Sequence, residues 1–317
     1  DISHMEISPL YYAGRAVTTL LRWLFLLAVA FIILYPLVYM LSMAFRSPKD
    51  FMDVTVIWIP KTPTLDNFKT AIGRVGMLRA MGYTVYISTV SSILQIFVTC
   101  LAGYGFARFR FRGRNLLFGL LLFTIIVPPQ TYISQLFGLF RFFKPLFLTP
   151  LLELFTGSSY VNLINTPLPF ILPALFGMGF RSGLFIYIYR QFFRGLPGDL
   201  EDAARIDGSN AFRTYFGIML PNARTSLLVF FLFSLVWYWS DYYLASINLS
   251  SVQTLATRIV DLRYALEVIL PREHFTVYYI IPIEQAACVF SIAPLILLFL
   301  VGQRFFVQGI DRTGIVG

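Results

Sequence analysis

Charged residues are scarce in this chain, which contains 317 amino acids. They make up only 13% of the sequence, whereas 57% of the residues are hydrophobic. Soluble domains carry roughly 25% charged residues, so this balance excludes an ordinary water-soluble fold and predicts a protein solvated by lipid. The 25 basic residues include four lysines and are scattered, so no run forms a nucleic-acid footprint. The net charge of +9 therefore indicates membrane topology.

Cysteine and histidine are also nearly absent. Cys100 and Cys288 both lie in apolar stretches and lack the spacing of a metal or redox pair, so we expect buried thiols and no disulfide framework. Outside the opening residues the only histidine is His274, and no H-E-x-x-H or Ser/His/Asp arrangement is present. We therefore expect no catalytic residues and no metal site, and a membrane-embedded enzyme has little support.

A nucleotide-binding P-loop is missing as well. That motif needs G-x-x-x-x-G-K-[S/T], and none of the lysines at 49, 61, 69 and 144 follows a glycine. The chain is therefore not expected to hydrolyse ATP or to carry a cofactor of its own.

Long apolar stretches dominate what is present. A spanning helix needs about 20 mostly apolar residues. Six segments meet this length, and we predict an all-α polytopic membrane protein with six transmembrane helices. The predicted spans are residues 23–45, 80–107, 115–140, 168–193, 226–249 and 280–303. Residues 1–5 are interpreted as an expression scar, and residues 6–317 as a single transmembrane domain.

The distribution of arginine predicts the orientation. Residues 108–114 contain four arginines in seven positions, which favours the cytoplasm for this short loop. With six spans, both termini and the loop after span four are then cytoplasmic, while segments 46–79, 141–167 and 250–279 face outward. The first outward segment holds six basic residues, but it is long and includes three aspartates, so it weighs less than the compact arginine loop.

Proline and glycine are expected to interrupt several spans. They occur in the first, third, fourth and sixth segments, at Pro36, Pro128, Pro129, Pro173, Gly177, Gly179, Gly183 and Pro294. Broken backbone at membrane depth is tolerated where protein or a water-filled cavity satisfies the freed polar groups. The pattern predicts helices packed around a pathway, although such residues are common in spanning helices generally.

A polar segment between spans four and five reads D-A-A-R-I-D-G-S-N-A-F-R-T-Y-F-G-I-M-L-P over residues 202–221. Residues 202–206 favour a helix, Asp207-Gly208 is a turn dipeptide, and residues 211–220 regain helical spacing before Pro221. A helix, a turn and a second helix are predicted here.

This segment resembles the EAA loop of permease subunits in binding-protein-dependent ABC importers. The family pattern is E-A-A, three residues, G, nine residues and I-x-L-P. The matching residues are Ala203, Ala204, Asp207, Gly208, Ile218, Leu220 and Pro221. Asp202 stands where glutamate is usual and Ser209 where alanine is common. Three further stretches resemble the carbohydrate branch of these permeases, which includes the smaller subunit of the maltose permease: residues 162–176, 190–197 and 303–317.

The resemblance implies a bacterial inner-membrane subunit with several partners. They are a second, different permease subunit, two ATPase subunits that bind ATP and Mg, and an extracytoplasmic solute-binding protein. It also implies that residues 199–221 form a coupling loop whose first helix lies in a cleft of the ATPase, with Asp202 as a member of the coupling set. Carboxylates near the start of the first helix interact favourably with the helix dipole and can accept hydrogen bonds from a partner. Ile218 and Leu220 are expected to pack the second helix against the core of the permease. Phe212, Tyr215 and Phe216 either enter the ATPase groove or pack within the loop.

Ionisable and aromatic residues within the spans are candidates for the substrate path. Asp241, with Trp239 and Tyr243 beside it, would suit a sugar, and Glu284 lies near the outer start of span six. Interfacial aromatics and a helix-capping aspartate are equally ordinary explanations, and Arg181 either snorkels, pairs between subunits or touches substrate. An ion-coupled secondary transporter or channel that uses Asp241 and Glu284 is the alternative function.

Overall fold

The computed structural model describes residues 9–145 and 149–313, without the side chains of residues 9–13, 151, 152, 156 and 304–313. The proposed expression scar at residues 1–5 lies outside this range. The described residues form helices and no β-strand, with one isolated antiparallel bridge between Phe143 and Val161. The α-helices are α1 (Pro9–Ala44), α2 (Pro48–Met52), α3 (Asp66–Lys69), α4 (Met77–Arg108), α5 (Arg114–Ile126), α6 (Ile133–Arg141), α7 (Thr149–Thr156), α8 (Leu168–Leu175), α9 (Ser182–Gly195), α10 (Asp199–Ile206), α11 (Ala211–Thr214), α12 (Leu220–Asn222), α13 (Arg224–Trp239), α14 (Tyr243–Asn248), α15 (Leu255–Val260), α16 (Leu262–Ile269) and α17 (Val277–Thr313). Short π-helical turns cover Thr70–Arg74 and Tyr215–Met219, and 3-10 turns cover Pro129–Thr131 and Arg272–His274.

The described residues divide into two compact units. Residues 9–75 and 263–290 form the first, and residues 76–262 and 291–313 form the second. In the first unit, buried polar side chains fix the segment after α1. Asp50 accepts hydrogen bonds from the backbone nitrogen and hydroxyl of Thr62 at 2.8 and 2.9 Å, and Asn67 donates to the carbonyl oxygens of Ala44 and Arg46 at 2.9 Å each. These bonds satisfy groups that would be costly to bury alone.

An exposed ion pair braces the same segment. The Lys61 ammonium lies 2.6 Å from a carboxylate oxygen of Asp53. Its hydrogen bond, together with bonds from Thr55, holds the pKa of the Asp53 carboxyl well below its usual range. Asp53 is therefore charged throughout the neutral pH range.

Helix α4 is the centre of the second unit, where it packs against α8, α9, α13 and α15. Its close contact with α9 depends on Gly103, where an added Cβ would meet the Tyr189 Cβ and would lie 3.1 Å from the Arg190 backbone nitrogen. Gln95, also on α4, is fully buried and donates to Ser182 Oγ at 2.9 Å while accepting from Ser234 Oγ at 2.9 Å. One amide thus joins α4 to α9 and α13.

Three helices in the described residues are long and apolar enough to cross a bilayer without a break: Gly14–Ala44, Met77–Arg108 and Val277–Gln303. The second and third of these helices contain the second and sixth predicted spans, and the first covers all but residue 45 of the first predicted span. The most apolar window of Gly14–Ala44 is not buried against other parts of the described chain, so its side chains are available to lipid or to another subunit. Pro36 and Pro294 lie inside continuous helices, so the expected interruptions there are wrong. A proline removes one helical hydrogen bond, which a long helix tolerates.

The third, fourth and fifth predicted spans are not single helices. The third breaks between α5 and α6, because Pro128 and Pro129 force extended backbone at the residues before them; Val127 has ψ 118° and Pro128 has ψ 136°. The fourth breaks between α8 and α9, where Gly177 and Arg181 have φ of 69° and 53°. The fifth breaks between α13 and α14. In addition, Ala211–Asn222 and Arg224–Trp239 meet at a bend of 74°.

Candidate functional site

Helix α10 begins the segment that the sequence singles out, and it is amphipathic. Glu201 and Ala204 are buried, while Asp202, Ala203 and Arg205 are exposed. Three carboxylates lie in its first turn, at Asp199, Glu201 and Asp202, where the helix dipole favours negative charge. Asp202 pairs with Arg205 one turn later at 3.1 Å, and because both side chains are exposed the pair adds little stability.

A Schellman motif ends α10 at the Asp207-Gly208 turn. Gly208 has φ 77°, the Ser209 nitrogen donates to the Ala204 carbonyl at 2.9 Å, and the Gly208 nitrogen donates to the Arg205 carbonyl at 3.0 Å. Glycine suits this position because left-handed backbone strains other residues. Asn210 then starts α11, since its side-chain oxygen accepts from the Arg213 nitrogen at 2.8 Å. The predicted helix, turn and helix are present.

The second helix of the segment packs inward mainly through residues other than the two expected from the sequence. Tyr215 and Met219 are buried, whereas Ile218 and Leu220 are half-buried. Leu220 packs beside the core cluster that contains Tyr215 and Met219, so its predicted inward role is met only in part. Pro221 lies within α12 and does not end the helix, because a proline is tolerated in a first helical turn.

An exposed apolar surface follows from this arrangement. Ile206 is 87% exposed, Phe212 is 71% exposed and Phe216 is 57% exposed. These three residues, on either side of the Gly208 turn, are called the loop surface below. Tyr215 packs inward and is not part of it, so the three aromatic residues considered from the sequence divide between the two roles.

Glu201 is the residue of this segment that sequence reasoning underrated. Its side chain points into the protein, where one oxygen accepts a hydrogen bond from the Tyr104 hydroxyl at 2.8 Å. The other oxygen lies 3.7 Å from Arg108 Nε. Glu201 therefore does not offer its carboxylate to a partner protein. The available signal was its spacing of three residues from Ala204, which puts both residues on one face of α10.

A cavity of about 200 Å³ lies in the second unit, and all three helix breaks line it. Pro129 and Gln130 come from the break between α5 and α6, Gly179 and Arg181 from that between α8 and α9, and Asp241 from that between α13 and α14. Trp237 and Tyr243 also line the cavity. The Arg181 guanidinium lies over the Trp237 ring at 5.0 Å, a cation–π arrangement.

Asp241 has a structural role as well as a place in this cavity. Its carboxylate accepts hydrogen bonds from the Leu244 and Ala245 nitrogens at 3.4 and 3.0 Å, so it satisfies amide groups in the first turn of α14. Tyr243 is exposed beside it. The cavity thus brings together Asp241, Tyr243 and Arg181, but not the other two residues that the sequence assigned to the substrate path.

Trp239 and Glu284 make contacts elsewhere. Trp239 is buried, and its indole nitrogen donates to the Ser291 carbonyl at 3.2 Å. Glu284, in the first unit, pairs with Arg263 at 3.1 Å. The parts of the chain that the structure describes contain no group of three or more His, Cys, Asp or Glu residues that could hold a metal ion.

These features define a class: a multi-pass helical membrane protein with helix breaks around an internal cavity and an amphipathic helix–turn–helix between two apolar segments. Residues 95–312 match the family of binding-protein-dependent transport system inner membrane components. The match covers more than half of the chain, which belongs to this family.

Curated relatives are similar along nearly the whole chain. The arabinooligosaccharide transport permease AraQ of Halalkalibacterium halodurans is 29% identical and covers 96% of this chain and 99% of its own length. The lactose transport permease LacG of Rhizobium radiobacter is 25% identical, with 93% and 96% covered. A solved bacterial ABC transporter that imports alginate matches with a TM-score of 0.70 at 19% identity, covering 92% of this chain and 98% of that chain, which shows a shared fold.

The predicted identity as an ABC-importer permease is confirmed. The chain is a multi-pass membrane component of an importer that also comprises a permease partner, ATPases and a solute-binding protein, and it is not itself an enzyme. An ion-coupled carrier or channel, the alternative considered from Asp241 and Glu284, is not favoured by family membership.

Proposed function

We propose that this chain forms half of the translocation pathway for an oligosaccharide, paired with a second, different permease subunit. The support for an oligosaccharide comes from the relatives, which are named for arabinooligosaccharides, lactose and starch degradation products. Two ATPase subunits and an extracytoplasmic solute-binding protein complete the proposed complex.

In this proposal the chain crosses the membrane six times. Helices α1, α4 and α17 provide unbroken spans, while α5 with α6, α8 with α9, and α13 with α14 cross as broken helices. Broken backbone inside a membrane needs a cavity or protein to satisfy it, and the breaks share one cavity. The arginine-rich loop at residues 108–114 is assigned to the cytoplasm, together with both termini and residues 199–221.

We further propose that residues 199–221 couple the chain to the ATPase. The observation that carries this proposal is the loop surface, in which Ile206 and Phe212 are 87% and 71% exposed beside a fixed turn. Large apolar side chains that are exposed and surrounded by polar residues mark interaction sites. Asp202, Ala203, Ala204, Asp207 and Gly208 set the shape of the first helix and its turn, while Ile218, Leu220 and Pro221 continue the second helix toward α13.

Replacing Gly208 with leucine tests this docking. A Cβ at Gly208 meets nothing within 4 Å, so the substitution adds bulk to the loop surface without a clash inside the chain. Backbone strain of about 1–2 kcal/mol is expected at φ 77°. We expect Gly208→Leu to release the ATPase during co-purification and to abolish ATP-driven uptake.

The matched control is Gly113→Leu. Gly113 has φ 83°, and an added Cβ there also meets nothing within 4 Å, so this variant carries the same strain outside residues 199–221. It should keep the ATPase. Full retention of the ATPase and normal uptake by Gly208→Leu would refute the docking proposal, as would equal losses in both variants.

The cavity is proposed as part of the oligosaccharide path. Asp241 would accept hydrogen bonds from sugar hydroxyl groups, and the Tyr243 ring would pack against the apolar face of a sugar. Arg181, which lies over the Trp237 ring, would donate hydrogen bonds to sugar oxygens. Trp239, bound to Ser291, would support the wall behind Asp241. Glu284, paired with Arg263 in the first unit, is kept as a separate proposal for a charged substrate-path residue.

A further inference from the structure

Glu201 is an acidic residue buried at the inner face of α10. It is 8% exposed, and both of its carboxylate oxygens face groups on a single other helix. Tyr104 donates its hydroxyl to one oxygen at 2.8 Å, and Arg108 Nε lies 3.7 Å from the other. Tyr104 and Arg108 are one turn apart at the end of α4, so the carboxylate spans two successive turns of that helix.

The same two residues also hold the elements on either side of α10. Arg108 Nη2 donates to the carbonyl of Leu196, which ends α9, at 2.7 Å. The Tyr104 ring lies 5.4 Å from the Phe193 ring on α9 and 5.1 Å from the Tyr215 ring in the second helix of the segment. The end of α4 therefore contacts both halves of residues 199–221.

The cluster of Tyr104, Arg108 and Glu201 adds a hydrogen bond and an ion pair to the contact between α10 and α4. A buried charge that loses its partners is strongly disfavoured, so α10 cannot slide along α4 without breaking both polar contacts. Helix α4 also packs against α8, α9 and α13, which line or adjoin the cavity. A displacement of α10 would thus be transmitted to the helices around the cavity.

We infer that Glu201, clasped by Tyr104 and Arg108, is the positioning residue that makes α10 and α4 move as one body when the ATPase closes. The inference rests on the proposed docking of residues 199–221 on the ATPase. It assigns separate roles to the two faces of α10: the exposed face binds the ATPase, and the buried carboxylate passes the motion to α4.

Distances between spin labels on the assembled importer test this inference without a transported sugar. One label is placed at Asp199 on α10 and the other at Arg110 just beyond α4, both exposed positions, in a chain whose Cys100 and Cys288 are replaced by alanine. The label-to-label distance is measured in the nucleotide-free complex and in the complex trapped with ATP and vanadate. In the parent chain the distance should stay constant between the two states.

Tyr104→Phe and Glu201→Gln are the test variants, because each keeps the shape of the side chain. Both should retain the ATPase, and their label distance should change by about 2 Å or more on trapping, the scale of helix shifts in switching proteins. The matched control is Tyr189→Phe. Its hydroxyl is buried in the same core cluster and has no hydrogen-bond partner among the described residues, so this variant should behave as the parent chain does.

Three results would overturn the inference: a constant distance in both test variants, a parent distance that already changes on trapping, or loss of the ATPase from Tyr104→Phe. The last result would assign the cluster to docking. Failure of the proposed function is a different observation, since the parent chain itself would then not assemble with the ATPase.

Discussion

Glycine at position 103 allows α4 and α9 to approach closely in the second unit. An added Cβ there would meet the Tyr189 Cβ and would lie 3.1 and 3.2 Å from backbone atoms of Arg190 and Ile186. Backbone atoms of a packed helix cannot move aside as a flexible side chain can. Gly105, two residues along the same helix, has nothing within 4 Å of the equivalent position.

We expect Gly103→Ala to destabilise the protein by about 1–3 kcal/mol, because α4 and α9 must separate to admit the methyl group. Gly105→Ala is the matched control and should be neutral or stabilising by up to about 1 kcal/mol, since alanine favours a helix over glycine. The thermal midpoint of the detergent-solubilised protein compares the two. Equal midpoints would contradict the close helix contact.

At the level of whole elements, the continuous helices were the most predictable. The second predicted span, residues 80–107, agrees closely with α4 (Met77–Arg108), because one apolar run without proline leaves a single solution. The breaks in the third and fourth spans fall at Pro128 and Pro129 and at Gly177 and Gly179, where interruptions were expected, whereas the break between α13 and α14 in the fifth span was not predicted. Apolar composition predicts that a segment enters the membrane, whereas a helix break depends on local backbone geometry. Arg181, for example, has φ 53°, and an arginine in the sequence does not predict a positive φ.

The functional residues divide in the same way. The spacing from Ala203 to Pro221 predicted the family and the helix–turn–helix. Glu201 could not be placed from that spacing, because its partners Tyr104 and Arg108 lie more than 90 residues earlier in the chain. Trp239 was assigned as a neighbour of Asp241 in an aromatic cluster, and Glu284 as an ionisable residue within a span. In the structure Trp239 contacts Ser291 and Glu284 contacts Arg263.

Asp241 has two roles that substitutions can test separately. It accepts hydrogen bonds from the first-turn amides of α14, and it lines the cavity. Asparagine caps a helix about as well as aspartate. Asp241→Asn should therefore keep the thermal midpoint while raising the oligosaccharide concentration for half-maximal uptake about tenfold, as expected for a weakened charged hydrogen bond. Asp241→Ala should lose about 1 kcal/mol of stability in addition.

If Asp241 only caps the helix, asparagine will leave the half-maximal concentration unchanged and alanine will reduce stability alone. The concentration dependence of uptake into proteoliposomes, measured beside the thermal midpoint of each variant, distinguishes the two roles.

Considered as a whole molecule, the chain contains a cavity that is proposed as part of a route for solute, and its sequence has no P-loop with which to hydrolyse ATP. Residues from all three helix breaks line this cavity. The apolar stretch Gly14–Ala44 buries none of its most apolar window within the chain, which agrees with a subunit that works in lipid beside other chains. Energy must then enter through a surface, and the loop surface is the proposed entry.

The most direct test reconstitutes this chain in sealed vesicles, alone and with its permease partner, ATPases and solute-binding protein. Uptake of the oligosaccharide is then measured with ATP inside the vesicles or with an imposed proton or sodium gradient. The account predicts uptake only by the full complex and only with ATP, and its loss when Gly208→Leu replaces the parent chain. Gradient-driven uptake by this chain alone would contradict the account and indicate an ion-coupled carrier.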